Sequence, residues 1–219
     1  MRYRDREHAG RVLGERLGSY AGRENLLILG LPRGGVPVAF EVARALRAPL
    51  DVFVVRKLGV PGYQELAMGA IASGGVRVLN EDVVAELGID EATIARAAAA
   101  ENAELERREG ALRGERDPVE VSGRTVILVD DGLATGSTMR AAAAAVRSQG
   151  AERLVVAVPV GAEQTCNKIR AEVDEVVCVL TPAPFRAVGL WYEDFSPVTE
   201  DEIRDLLTRA PSEAAPLGR

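Results

Sequence analysis

Residues 126–139 read VILVDDGLATGSTM: four apolar residues, two adjacent aspartates, then a turn rich in glycine and hydroxyls. The apolar run predicts a buried strand, and residues 136–149 predict a helix. Two like charges at the end of a buried strand cost stability unless something offsets them. Backbone N–H groups at a helix start lack partners and attract phosphate. Thr135, Ser137 and Thr138 add hydroxyl donors, and Gly132 and Gly136 permit close backbone approach. Simple helix capping by Thr135 or Ser137 is the alternative, but it leaves the aspartates unexplained. Carboxylates accept hydrogen bonds and donate none, so Asp130 and Asp131 call for a partner with hydroxyls or a cation. A ribose diol with Mg²⁺ meets both needs.

The same alternation of apolar run and helix recurs on both sides. LLILG (26–30) predicts a buried strand, LPRGG (31–35) a turn, and residues 36–46 a helix. LDVFVV (50–55) predicts the next strand, followed by a mobile glycine- and proline-rich loop, RKLGVPGYQ (56–64). LAMGAIA and VRVLN predict a β pair joined across Ser73-Gly74-Gly75. Residues 80–113 are helical by composition, their alternating Glu and Arg at 101–109 suiting a solvated face. LVVAVPV and EVVCVL predict strands on either side of a helix at 162–171. Residues 3–20 predict an amphipathic helix, and VTEDEIRDLLTRA a helix capped by Thr199. Strands alternating with helices imply an α/β fold: a central, mostly parallel sheet flanked by helices. Ligands bind such sheets at the carboxyl ends of the strands.

One domain is expected over 1–210, with a core at about 22–180, a small cap from 1–21 and 181–210, and a flexible tail at 211–219. A net charge of −6 argues against capture of nucleic acid or an anionic membrane. The charged start, MRYRDREHAGRVLGERLGSY, lacks the apolar stretch of a signal peptide, so cytoplasm is the expected location. His8 is the only histidine, which excludes a His-based triad or multi-His metal site within one chain. Cys166 and Cys178 lack metal-ligand spacing and are expected to be reduced packing residues.

VILVDDGLATGST resembles the phosphoribosyl-pyrophosphate (PRPP) signature of the type I phosphoribosyltransferases, and Ala before Thr-Gly is similar to the adenine enzymes. The resemblance implies that Asp130 and Asp131 bind the ribose hydroxyls, reaching Mg²⁺ only through those hydroxyls or water. Gly132 and Ala134, Thr135, Gly136, Ser137 and Thr138 would wrap the 5′-phosphate. LPRGG stands where the family binds pyrophosphate, which implicates Arg33, Gly34 and Gly35 and implies a cis peptide at Pro32-Arg33. A plain strand-to-helix turn is the alternative. RKLGVPGYQE resembles the family's mobile loop, so Arg56 or Lys57 would meet the leaving pyrophosphate. Glu65 is a candidate proton donor or acceptor, with simple solvation as its alternative.

The resemblance weakens in PFRAVGLWYEDF (184–195), where base-binding is assigned to Phe185, Val188, Trp191 and Tyr192. Packing of the cap is an equal alternative for these aromatics. Hypoxanthine enzymes carry an Asp where this chain has Ala134, so any acid–base residue comes from elsewhere. The implied activity is a phosphoribosyltransferase of nucleotide metabolism. It would move the 5-phosphoribosyl group from PRPP to a nitrogenous base, purines favoured, with Mg²⁺ and release of pyrophosphate. Arg33, Lys57, Asp131 and Glu65 are the catalytic candidates, and a homodimer is the family's habit. A PRPP- or nucleotide-binding regulator of the same fold is the second reading. A hydrolase is disfavoured because no nucleophile-plus-base pair is present.

Overall fold

The computed structural model describes residues 2–114 and 116–211, apart from the side chains of Gln64 and Glu65. Strands β1 (Leu26–Gly30), β2 (Leu50–Val52), β6 (Thr125–Val129), β7 (Arg153–Val160) and β8 (Glu175–Leu180) form one sheet in the order β2-β1-β6-β7-β8. Every pairing in it is parallel. β1 and β6 are buried along their whole length, which explains their unbroken apolar character: both faces of the sheet are covered.

Alternate residues serve opposite faces. Ile28, Ile127 and Val155 join one core with α1 (Arg6–Arg16) and α2 (Gly35–Leu46). Leu29, Leu128 and Val156 join the other with α5 (Ser137–Ser148) and α6 (Glu163–Ile169). α1 packs against α2, and Tyr3 forms a parallel bridge to Tyr192, so the two ends of the chain meet over the sheet. α7 (Glu200–Arg209) begins with the capping box expected from Thr199, closed by Glu202. Residues 212–219 of the expected tail lie outside the described residues.

Three sequence expectations are corrected. The loop expected at 56–64 is mostly strand: β3 (Val55–Val60) and β4 (Tyr63–Ala72) form an antiparallel hairpin, extended by β5 (Val76–Leu79). Val60-Pro61-Gly62-Tyr63 makes its turn, with Gly62 at φ 83° after Pro61, the residue order of a type II turn. The glycine and proline content marks that tip, while Leu58, Val60 and Met68 hold the hairpin in the core. The strand expected at 50–55 stops at Val52, and Val55 opens the hairpin. The helix expected over 80–113 is two, α3 (Glu81–Glu86) and α4 (Glu91–Arg113), broken at Gly88 and each started by its own side-chain cap, Asn80 and Asp90.

The C-terminal end of α4 is pinned to the sheet. Buried Arg113 donates Nε to both carboxylate oxygens of buried Asp51, at 2.9 and 3.0 Å, and Nη2 to the Val52 carbonyl. The cysteines are free thiols, both packed beside Gly161.

Candidate active site

Adjacent parallel strands β1 and β6 deliver two loops to the same carboxyl end of the sheet. Leu31 N–H donates to the Val129 carbonyl at 2.9 Å, which aligns the first loop with the second. The Pro32–Arg33 peptide is cis, as the family resemblance implies. A Cβ on Gly34 would stand 1.9 Å from Oδ2 of Asp131, and one on Gly35 2.8 Å from Cα of Asp130. Glycines are therefore required here for close approach: any side chain would drive the loop off the aspartates. A plain strand-to-helix turn carries no such requirement.

The aspartate pair is strongly perturbed. Asp130 accepts the Asp131 N–H at 2.8 Å, yet burial and then the neighbouring Asp131 charge hold its carboxyl well above the usual carboxylate range. Burial also raises Asp131, opposed by the guanidinium of Arg6. Arg6, in the first turn of α1, donates Nε to Asp131 Oδ2 at 2.8 Å. Its Nη1 reaches the Ser196 carbonyl, and its guanidinium lies 3.9 Å over the Phe195 ring. Tyr192 donates its hydroxyl to the Asp131 carbonyl at 2.6 Å. Arg6, which the sequence reading did not single out, thus supplies part of the offset at Asp131, while Asp130 stays unfavourable in its ionised form.

Beyond the aspartates the loop lines a pocket of about 140 Å³ formed by Asp130, Gly132–Met139 and Val188. Leu133 N–H donates to the Val160 carbonyl, and the Thr165 hydroxyl holds the Ala134 carbonyl at 2.7 Å. Gly136 is left-handed at φ 75°, and no side chain caps the start of α5. The capping expected as the alternative role of Thr135 or Ser137 is absent; both are exposed, as is Thr138. The residues of this helix start line the pocket, and N–H groups at a helix start can bind an anion.

The other predicted residues divide. Arg33 is exposed and lines a second cavity of about 240 Å³ together with Pro32, Phe53, Leu112 and Thr138. Lys57 is exposed. Arg56, its neighbour on β3, is turned to α4, where it pairs with Glu101 at 2.5 Å and reaches Glu104 at 4.0 Å. The 101–109 charge run is therefore more than a solvated face. Glu65 has its backbone in β4; its side chain lies outside the described residues. Val188 packs its methyls against Gly132, at the pocket wall. Phe185 and Trp191 pack on the cluster of Tyr3, Ala9, Val160 and Tyr192. Tyr192 is buried, with its ring between Tyr3 and Phe195, so in this structure it packs the cap and steadies the Asp131 backbone. No group of three His, Cys, Asp or Glu side chains suited to a metal occurs among the described residues.

The sequence pattern of the phosphoribosyl transferase domain matches residues 6–193. The chain belongs to the phosphoribosyl transferase family. A Mycobacterium tuberculosis protein that bears the name "putative phosphoribosyl transferase" is 48% identical over 214 residues, 98% of this chain and 48% of that protein. A ribose-phosphate pyrophosphokinase of Methanopyrus kandleri is 34% identical over 145 residues, 56% of this chain and 49% of that one. The chain spans about half the length of the curated relatives it matches. The crystal structure of TT1426 from Thermus thermophilus superposes with a TM-score of 0.86 at 44% identity, over 94% of this chain and 98% of that one. The phosphoribosyl transferase match begins at Arg6 and takes in both loops, the hairpin and the segment that carries Val188; α7 lies beyond it. No described helix of this chain is long and apolar enough to cross a membrane.

Proposed function

We propose that the chain transfers the 5-phosphoribosyl group from PRPP to a nitrogenous base, a purine by preference, and releases pyrophosphate. The observation that carries this reading is the contact of the Gly34–Gly35 loop with Asp130 and Asp131 beside the phosphate-sized pocket at the start of α5. On this reading an anion-binding loop, a diol-binding carboxylate pair and a phosphate cradle stand side by side.

The ribose hydroxyls donate to the two carboxylates. Arg6 occupies Oδ2 of Asp131, which directs a hydroxyl to Oδ1. Gly132 and the 134–138 turn hold the 5′-phosphate through N–H and hydroxyl donors, and Val188 bounds the pocket on the cap side. The C1–O bond to pyrophosphate breaks, a C1–N bond to the base forms, and the displaced N–H proton passes to Glu65, the candidate acceptor, and on to water. Positive charge builds on the ribose ring as in glycosyl transfer, and the negative potential of Asp130 and Asp131 favours it. Arg33 and Lys57 meet the departing pyrophosphate, with Gly34 and Gly35 giving its oxygens access to backbone N–H groups. Mg²⁺ would arrive with PRPP and reach Asp130 and Asp131 only through the ribose hydroxyls or water. Mg²⁺ bound in that way supplies charge neutralisation at the pyrophosphate. The protein is further proposed to act as a cytoplasmic homodimer.

A PRPP- or nucleotide-binding regulator is the second reading. It is favoured by Asp131 being held already by Arg6. Incubation with PRPP, Mg²⁺ and a panel of purines, pyrimidines and amines separates the two. Base-dependent release of pyrophosphate is the expected result; silence across the panel with PRPP still bound selects the regulator.

A further inference from the structure

The 240 Å³ cavity joins the proposed PRPP site to a helix that the transfer scheme does not use. Leu31, Pro32, Arg33 and Thr138, shared with the two substrate loops, line it together with Arg107 and Arg108 of α4. Consecutive residues on a helix normally diverge. Here one carboxylate gathers both: Glu104 takes Nε of Arg107 at 2.7 Å and Nε of Arg108 at 2.9 Å. Those hydrogen bonds hold Glu104 down at about 2, so it stays ionised across the physiological range. The cavity brings Arg33, Arg107 and Arg108 together against Glu200 at the start of α7, with Glu104 behind the pair. Anchors on both sides fix α4: the Arg113–Asp51 pair towards its C-terminus and Arg56–Glu101 upstream. Leu105 and Leu112 are buried on its inner face.

We propose that Arg107 and Arg108 are pyrophosphate ligands of this site, with Glu104 the resident counter-anion that pyrophosphate displaces. The assignment rests on the phosphoribosyl-transfer reading. Pyrophosphate leaves from the sugar over the Pro32–Arg33 loop, and this cavity is the continuation of that loop's open side. Guanidinium forks match phosphate oxygens two at a time. An anion there draws the arginines from a single shared carboxylate to several oxygens, and the charge that develops as the C1–O bond breaks meets fixed positive groups. Glu104 is a competitor: its carboxylate occupies both guanidiniums until an anion takes them over.

The test is calorimetric titration of the full chain with Mg²⁺-pyrophosphate, Mg²⁺-PRPP and ribose 5-phosphate. The double variant Arg107→Gln/Arg108→Gln is expected to lose at least about ten-fold in pyrophosphate affinity, about 1.4 kcal/mol, while keeping that for ribose 5-phosphate. Glu104→Gln frees both arginines from their competing charge and is expected to bind pyrophosphate more tightly than wild type, the opposite sign from a structural lesion. Pyrophosphate affinity unchanged in the double variant, or lowered in Glu104→Gln, overturns this assignment while PRPP binding keeps the transfer reading intact. A wild-type chain that binds neither PRPP nor pyrophosphate overturns both.

Discussion

Arg6 Nε lies 2.8 Å from Asp131 Oδ2, a pairing across 125 residues of sequence that ties the first helix to the loop after β6. Both side chains are largely buried, at 12% and 14% exposure. Removing the guanidinium strands a desolvated carboxylate, so Arg6→Gln is expected to cost about 1–3 kcal/mol at pH 7. Asp131 already titrates above its usual value because of burial, and loss of Arg6 raises it further. A raised folded-state value penalises the ionised form, so the added cost is full above the variant's raised value and vanishes below the wild-type folded value. Melting curves from pH 4 to 8 check this: the gap to wild type should widen as pH rises.

Asp130 should behave as a residue kept at the expense of stability. Burial and Asp131 raise its titration, which makes its ionised form unfavourable in the folded chain at neutral pH. Asp130→Asn is therefore expected to raise the melting temperature at pH 7, by roughly 2–4 °C for each kcal/mol relieved in a domain of this size. The gain should shrink towards pH 4, where the wild-type carboxyl protonates in both states. Scanning calorimetry at both pH values reads the difference.

Gly34→Ala should separate close approach from backbone conformation. Gly34 sits in ordinary right-handed helical geometry, φ −63° and ψ −29°, which alanine tolerates. The methyl would nonetheless overlap Asp131 Oδ2 at 1.9 Å. A destabilisation of about 1–3 kcal/mol is expected, together with at least ten-fold weaker PRPP binding, measurable by urea unfolding and titration.

Arg113→Gln should be the most damaging of these changes. It removes a fork held at 2.9 Å against an aspartate that is itself buried. A stranded buried charge costs about 3–5 kcal/mol, and denaturant unfolding should show a lower midpoint at unchanged slope.

What was legible in the sequence follows from how local each signal is. Asp130, Asp131 and the 132–138 turn lie within nine consecutive residues, so their shared purpose is readable in one dimension. The parallel sheet was readable too, because strands buried on both faces cannot alternate polar with apolar residues. Arg6 was not, since one arginine in a charged amphipathic helix looks like any other until α1 folds over the β6 loop. Arg113 and Asp51 were hidden for the same reason. The β3–β4 hairpin was misread because Gly59, Pro61 and Gly62 cluster around its turn, and its pairing partners lie on the far side of that turn. Tyr192 carried an aromatic face that could have served a base, and only the fold reveals Tyr3 and Phe195 against it.

The central claim is that Asp130 and Asp131 hold the sugar of PRPP. Isothermal titration of Mg²⁺-PRPP into wild type and into Asp130→Asn/Asp131→Asn tests it most directly, because the double variant keeps side-chain shape while removing the charge. The account predicts saturable binding by wild type and a loss of at least about a hundred-fold in the variant, near 2.8 kcal/mol. Equal affinity in the two proteins would contradict it.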